Sequence, residues 1–248
     1  MKIARRESES ETTANAQHRN VLGVAMSVPR LAFMDNSFCM TQLVQAFDFP
    51  VPVWKHTGAY WGQCLTRAIK ELIVKFDPAL IMTMDYDTVF RPETAIALIN
   101  ILKENPSIDA IAPVQMHRTE PRPLFSVKDA AGHFVTEVPD DYFVGETSRI
   151  HTAHMGAMVF RVDSLMKIKK PWFWSQPGPD GDWDAGHIDD DTWFWERWAE
   201  AGNTLHLANR HSVGHAELMV RWPSGDFGHI DRHPSEFWAK GAPEGVWK

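Results

Sequence analysis

A chain of 248 residues, 44% of them hydrophobic, can bury one substantial core or two small ones. A formal charge of −7 argues against binding a nucleic-acid backbone, which needs a clustered basic surface. Two cysteines, Cys39 and Cys64, make no disulfide framework at this length, no stretch approaches a membrane span, and Met1–Glu7 has no apolar core behind it; the expectation is a cytoplasmic protein without a secretory signal or an integral membrane segment.

Residues 1–18 are polar and charged, and predict a disordered tail ahead of a single domain over residues 19–248. Val21–Met26 is an apolar run of strand length, broken by Ser27-Val28-Pro29-Arg30. Spacing is mixed from Leu31 to Phe47, with a helix expected over the second part, and Val51–His56 reads as a short strand. Ala59–Phe76 is the clearest amphipathic helix: Trp61, Leu65, Ile69, Leu72, Ile73 and Phe76 share one face, and Asp77-Pro78 ends it. Ala79–Met84 is a buried strand that stops abruptly at Asp85-Tyr86-Asp87. Pro92 stands near a helix start, where its missing N–H costs nothing; the helix runs Glu93–Lys103 and Asn105-Pro106 stops it. Ala110–Val114 is the next strand. Such alternation predicts an α/β fold, Rossmann-like, with a mostly parallel central sheet flanked by helices.

After residue 115 the pattern loosens. His133–Val138 alternates and predicts a small antiparallel addition. Ile150–Phe160 reads as a loop or bulge at Gly156 feeding a strand, followed by a short helix near Val162–Ile168. Pro171–Asp184 combines prolines and glycines with Trp172, Trp174 and Trp183, and predicts a surface loop over a site. Its tryptophans serve either as loop anchors or as platforms for a sugar. Asp189-Asp190-Asp191 precedes a helix, Thr192–Ala201, which Gly202-Asn203 ends. Thr204–Leu207 is a strand, Ser212-Val213-Gly214-His215 follows, and the last thirty or so residues are expected to wrap the domain without adding strands.

Ligands of parallel sheets collect beyond the carboxyl ends of the strands, where Asp85 and Asp87 fall. An i, i+2 pair in extended chain points to one side, so both carboxylates can address one hard cation, Mg2+ or Mn2+. Alternatively they are an acidic turn. The aspartate triplet either caps its helix or supplies a base. Arg67 can reach a phosphate if its helix ends near the site.

In order and spacing these segments, over roughly residues 19–216, resemble the GT-A fold of nucleotide-sugar glycosyltransferases, particularly the family 2-like group. The resemblance implies that Ser27, Pro29 and Arg30 receive the nucleoside, and that Asp85, Tyr86 and Asp87 bind metal and diphosphate. It makes His154 to Arg161, with Gly156, the strand beneath the acceptor. Asp191 falls on the catalytic base, and Asp190 stands where the family has Glu. A late histidine that completes the metal site falls on His215, with His211 as the other candidate. The implied function is metal-dependent transfer of a sugar from a nucleotide-diphosphate donor to the hydroxyl of a glycan or other acceptor, with Trp183 a candidate for stacking on sugar. A sugar-phosphate nucleotidyltransferase would need a glycine-rich basic loop after the first strand, of which Ser27-Val28-Pro29-Arg30 is a poor version. A metal-dependent phosphohydrolase would need a second His/Asp cluster of comparable clarity. A non-catalytic carbohydrate-binding protein would explain the tryptophans but not the carboxylates. Oligomeric state leaves no signature in the sequence.

Overall fold

In the computed structural model, which describes residues 22–29, 31–118, 120–184, 186–225 and 228–246, the apolar runs become the middle of one sheet. The tail expected over residues 1–18, Val21 and Arg30 lie outside the described residues. The strands are β1 Leu22–Val28, β2 Val53–Thr57, β3 Leu80–Asp85, β4 Thr88–Val89, β5 Ala110–Val114, β6 Phe125–Lys128, β7 Phe134–Val135, β8 Thr147–Ile150, β9 Thr152–Ala153, β10 Val159–Arg161, β11 Leu205–Ser212, β12 Gly214–His215, β13 Val220–Pro223 and β14 His229–Arg232. The helices are α1 Met34–Gln45, α2 Trp61–Phe76, α3 Pro92–Glu104, α4 Val162–Leu165, α5 Asp190–Glu200 and α6 Pro234–Lys240.

The main sheet has seven strands in the order β2-β1-β3-β10-β5-β11-β8. β2, β1, β3, β5 and β11 run parallel, while β10 and β8 run against them. β3 is buried throughout because strands flank it and helices cover both faces. Alternate side chains divide between two cores. Val24, Met82, Val159 and Ile111 meet Met40 and Leu43 of α1 and Leu98 and Leu102 of α3. Ala25, Ile81, Phe160 and Ala110 meet Leu65 and Ile69 of α2 and Phe194, Trp195 and Trp198 of α5.

Among the described residues, three of the chain's eleven tryptophans belong to the core. Trp172, Trp195 and Trp198 are fully buried, and each indole N–H donates to a backbone carbonyl: Ile168 at 3.3 Å, Ala153 at 2.6 Å and Thr204 at 3.0 Å. A buried indole without such an acceptor would forfeit a hydrogen bond.

The antiparallel addition is present as β7-β6-β9, and a short ladder pairs β4 with β12. The C-terminal segment departs from expectation. Instead of wrapping without strands it forms a β13–β14 hairpin and then α6. Pro223 stands at the end of β13, where its missing N–H breaks no ladder, and Arg221 grips Asp231 across the hairpin at 2.9 and 3.0 Å. No helix among the described residues is long and apolar enough to cross a membrane.

Candidate functional site

Four pieces of chain meet where β3 ends. Ser27 of β1 lies beside Asp85 in parallel register, and the Asp85 N–H donates to the Gly156 carbonyl at 3.1 Å. A Cβ on Gly156 would fall 2.6 Å from Gln115 Oε1 and 2.9 Å from His154 Nδ1, so a larger residue here would have to displace side chains of the site. From α1, the buried Asn36 amide donates to the carbonyls of Asp85 and Thr88, each at 2.8 Å, and clamps the Asp85–Thr88 turn at both ends. The β4–β12 ladder then sets His215 opposite Thr88, and the Ala216 N–H donates to the Asp87 carbonyl at 2.7 Å.

The two carboxylates occupy different settings. Asp85 Oδ1 accepts from Trp61 Nε1 at 2.8 Å, and its Oδ2 lies 3.3 Å from His154 Nε2. Burial pushes the Asp85 carboxyl up, against the opposing pull of His154 and Trp61, and burial pulls His154 below the usual imidazole value. Asp87 is 2% exposed, and its Oδ2 lies 3.3 Å from Arg118 Nη1 and 3.4 Å from His215 Nε2. Burial opposes its ionisation too, but His215 and Arg118 outweigh burial and hold the carboxyl below its ordinary value. His215 is raised in turn: burial opposes, and Asp87 and the Met116 carbonyl prevail.

Both Asp87 oxygens and His215 Nε2 are buried without a hydrogen-bond partner. His215 Nδ1 lies 3.1 Å from the Met116 carbonyl, which accepts only, so Nδ1 carries the proton. A neutral ring would then turn the Nε2 lone pair toward a carboxylate. Such a contact requires either a protonated ring or a cation between the two groups. An imidazole whose outer N–H is held by a backbone carbonyl is the usual posture of a metal-ligating histidine. Among the described residues no three His, Cys, Asp or Glu side chains form a closed coordinating set.

A cavity of about 300 Å³ is lined by Trp61, Asp85, Tyr86, Asp87, Arg118 and the aspartate triplet, and Ser175 is the contribution of the Pro171–Asp184 loop. It adjoins a second of about 420 Å³ between the small sheet and the start of α5; Arg118, His154, Asp189, Asp191 and His215 border both. The triplet divides its labour. Asp189 is the N-cap, accepting from the Thr192 N–H at 2.8 Å, so α5 begins at Asp190 and not at Thr192. Asp190 lies against the first turn of α2, where a Cβ on Gly62 would fall 2.8 Å from its Oδ2. Asp191 faces both cavities, accepts from the Met155 N–H, and has its carboxyl raised well above the ordinary value by burial and then by Asp189, Asp85 and Asp190.

Asp85, Tyr86, Asp87, His154, Asp190, Asp191 and His215 are thus brought together; Ser27, on β1, lies beside Asp85 and Pro29 just past the end of that strand, and neither lines a cavity. Ser27 is buried, with Oγ 3.4 Å from the Trp61 carbonyl, and the Tyr86 ring stacks on Phe33 at 6.3 Å. Other candidates fall elsewhere. Arg67 is exposed well inside α2, whose start and not its end adjoins the cavity. Trp183 is 58% exposed and lines neither cavity, Trp174 is also exposed, and Trp172 belongs to the core. His211 lines neither cavity. Arg118, Asn36, Gln115 and the Asp85 contact of Trp61 escaped the sequence reading. Only position after a parallel strand, shared by Gln115 and Arg118 beyond β5, pointed to any of them.

No protein-family model and no curated protein sequence matches the chain. Solved structures match in fold. A197 from STIV aligns with a TM-score of 0.53 at 15% identity, over 86% of this chain and 94% of that one. GalNAc-T7, solved with UDP, GalNAc and Mn2+, aligns with a TM-score of 0.52 at 9% identity, over 80% of this chain and 44% of that one. This chain therefore spans less than half of GalNAc-T7. At such identities the likeness establishes architecture alone: the fold is GT-A-like, α/β with a seven-stranded mixed sheet between helices.

Proposed function

We propose that the protein is a metal-dependent glycosyltransferase that moves a sugar from a nucleotide-diphosphate donor to an acceptor hydroxyl. The observation that carries this reading is the buried Asp87–His215 pair, whose facing polar atoms lack hydrogen-bond partners and sit at the end of β3 in a GT-A-like fold. The donor set fits a divalent cation: a carboxylate with a neutral imidazole suits Mn2+ and accepts Mg2+ less readily. Asp87 and His215 would hold the ion, with Asp85 in reserve because Trp61 and His154 already engage its oxygens. When bound, the ion would offset the charge that grows on the diphosphate leaving group.

The chain supplies the rest. Ser27, beside Asp85 on β1, and Pro29, just beyond that strand, would lie on the nucleoside side of the site, although neither lines the smaller cavity. The larger cavity takes the acceptor, a glycan or another hydroxyl compound, beside His154. Asp191, on the border of the two, takes the acceptor proton. Its raised pKa makes it a stronger base than an ordinary carboxylate, which suits the task near neutral pH. Buried, unpaired Cys39 and Cys64 accord with a reducing, cytoplasmic setting.

The test is nucleotide release from a panel of nucleotide sugars with Mn2+, with and without acceptors. Release from at least one donor, lost in Asp87→Ala, supports the reading. Pyrophosphate release from a nucleoside triphosphate plus a sugar phosphate, with every nucleotide sugar inert, would replace it with nucleotidyl transfer.

A further inference from the structure

Arg118 occupies the mouth of the site, where its side chain hydrogen-bonds Tyr86 and reaches two carboxylates only at longer range. It follows β5, is 40% exposed, and borders both cavities. Its Nη1 lies 3.3 Å from Asp87 Oδ2 and its Nε 3.9 Å from Glu217 Oε2. Both are longer than the roughly 2.7–2.9 Å of a well-made charge-assisted hydrogen bond. Arg161 shows what a structural arginine looks like in the same molecule: its guanidinium donates to the carbonyls of Ile108, Leu102 and Asn105, which pin it beneath α3. Arg118 has two carboxylates, one on either side, and a pinned bond to neither.

A divalent cation on Asp87 would place two like charges at one oxygen, and the Arg118 guanidinium, whose contact with Asp87 is long, would have to withdraw. Glu217, two residues beyond His215, offers a resting place on the way. The vacated guanidinium then stands over the smaller cavity, where a diphosphate would lie. Its planar fork suits phosphate oxygens, and Asp87 no longer competes for it.

Building on the reading of Asp87 as a metal ligand, we propose that Arg118 is an exchangeable counter-cation. It neutralises Asp87 in the ligand-free protein, yields that position to the divalent cation, and then anchors the donor diphosphate. Its effects on the two ligands therefore have opposite signs. It weakens binding of the bare cation and strengthens binding of the diphosphate.

The experiment is a pair of titrations on the full chain, with folding verified by circular dichroism: Mn2+ alone by electron paramagnetic resonance, then UDP, GDP and ADP by calorimetry at saturating Mn2+. Arg118→Met should tighten Mn2+ on the order of three- to tenfold, as a like charge a few ångströms away is removed. It should weaken the best-bound nucleoside diphosphate about tenfold or more, the scale of hydrogen bonds to a charged group. Arg118→Lys, which keeps the charge and loses the fork, should leave Mn2+ affinity near wild type and recover only part of the diphosphate affinity. If Arg118→Met weakens both ligands, or alters neither, the exchange is wrong. Asp87→Ala separates the two levels of the argument. Unchanged Mn2+ binding in that variant would remove the metal site and this proposal together, whereas loss of binding there with a neutral Arg118→Met removes only this proposal.

Discussion

Asp85 and Asp87 stand two residues apart and each faces a histidine, yet their surroundings shift the two pairs in opposite directions. Around Asp85 the strongest influence is burial, which raises the carboxyl and lowers His154, so that pair tends toward neutrality. Around Asp87, burial is outweighed by His215 and Arg118, and the pair is driven toward carboxylate and imidazolium. At Asp85 burial prevails although His154 and Trp61 oppose it, whereas at Asp87 His215 is the main counterweight to burial and Arg118 adds to it. Trp61 satisfies Asp85 with one hydrogen bond and seats it against the core. Arg118 supplies Asp87 with charge but leaves its oxygens without a well-made hydrogen bond. On the proposed function, this i, i+2 carboxylate pair divides into a member seated by Trp61 and a member that holds the cation.

The contrast breaks most visibly at Asp87. Asp87→Ala should cost more than about a hundredfold in Mn2+-dependent nucleoside diphosphate affinity, because losing even an outer-shell partner commonly costs ten- to a hundredfold. Calorimetry on a folded variant with near-native affinity would contradict the assignment. Next in size is Asp191→Asn, which should lower kcat on the order of a hundredfold or more while leaving the donor Kd unchanged. The same substitution should raise stability at neutral pH. Because the folded carboxyl is raised, its ionised form disfavours the native state, a cost incurred as pH climbs above the ordinary carboxylate value of 3.8. Thermal midpoints of the two proteins should therefore diverge at pH 7 and converge near pH 4.

Stability sharpens the comparison further. Asp85→Ala strands the Trp61 N–H and should cost about 1–3 kcal/mol in urea unfolding. An Asp85→Ala variant as stable as wild type would mean that the indole contact does not hold the carboxylate in place. The smallest effect is the pH dependence of the ligand-free Asp87–His215 pair. His215 is raised, so its contribution is full below 6.5 and is lost as pH rises through its folded value. Asp87 is lowered, so its contribution is full above 3.8 and is lost as pH falls. The stability difference between wild type and His215→Phe should peak between those values and shrink above neutrality; a flat profile would deny the ion pair.

Much of this was legible in the sequence because it depends on local pattern. Buried runs such as Ala79–Met84 and the apolar face of Ala59–Phe76 announce themselves by length and period, and they became β3 and α2. The carboxylates after a parallel strand, and the glycine ahead of β10, follow from where such strands end. What stayed hidden depends on topology. Nothing around Asn36 reveals that it will clamp a turn some fifty residues away, or around Trp61 that its indole meets Asp85. Arg67 was a candidate only on the supposition that α2 ends near the site, whereas the helix starts there. The C-terminal hairpin was obscured by prolines and glycines that occupy its strand end and its turn.

The most direct test of the division between the two aspartates is a crystal of the protein soaked with Mn2+ and UDP, with anomalous scattering measured at a wavelength that reveals manganese. The account predicts a peak within about 2.0–2.3 Å of an Asp87 oxygen and His215 Nε2, with the Trp61–Asp85 hydrogen bond intact and Arg118 turned from Asp87 toward the diphosphate. A peak held by Asp85 and His154 with Asp87 unengaged, or UDP bound away from both aspartates, would contradict it.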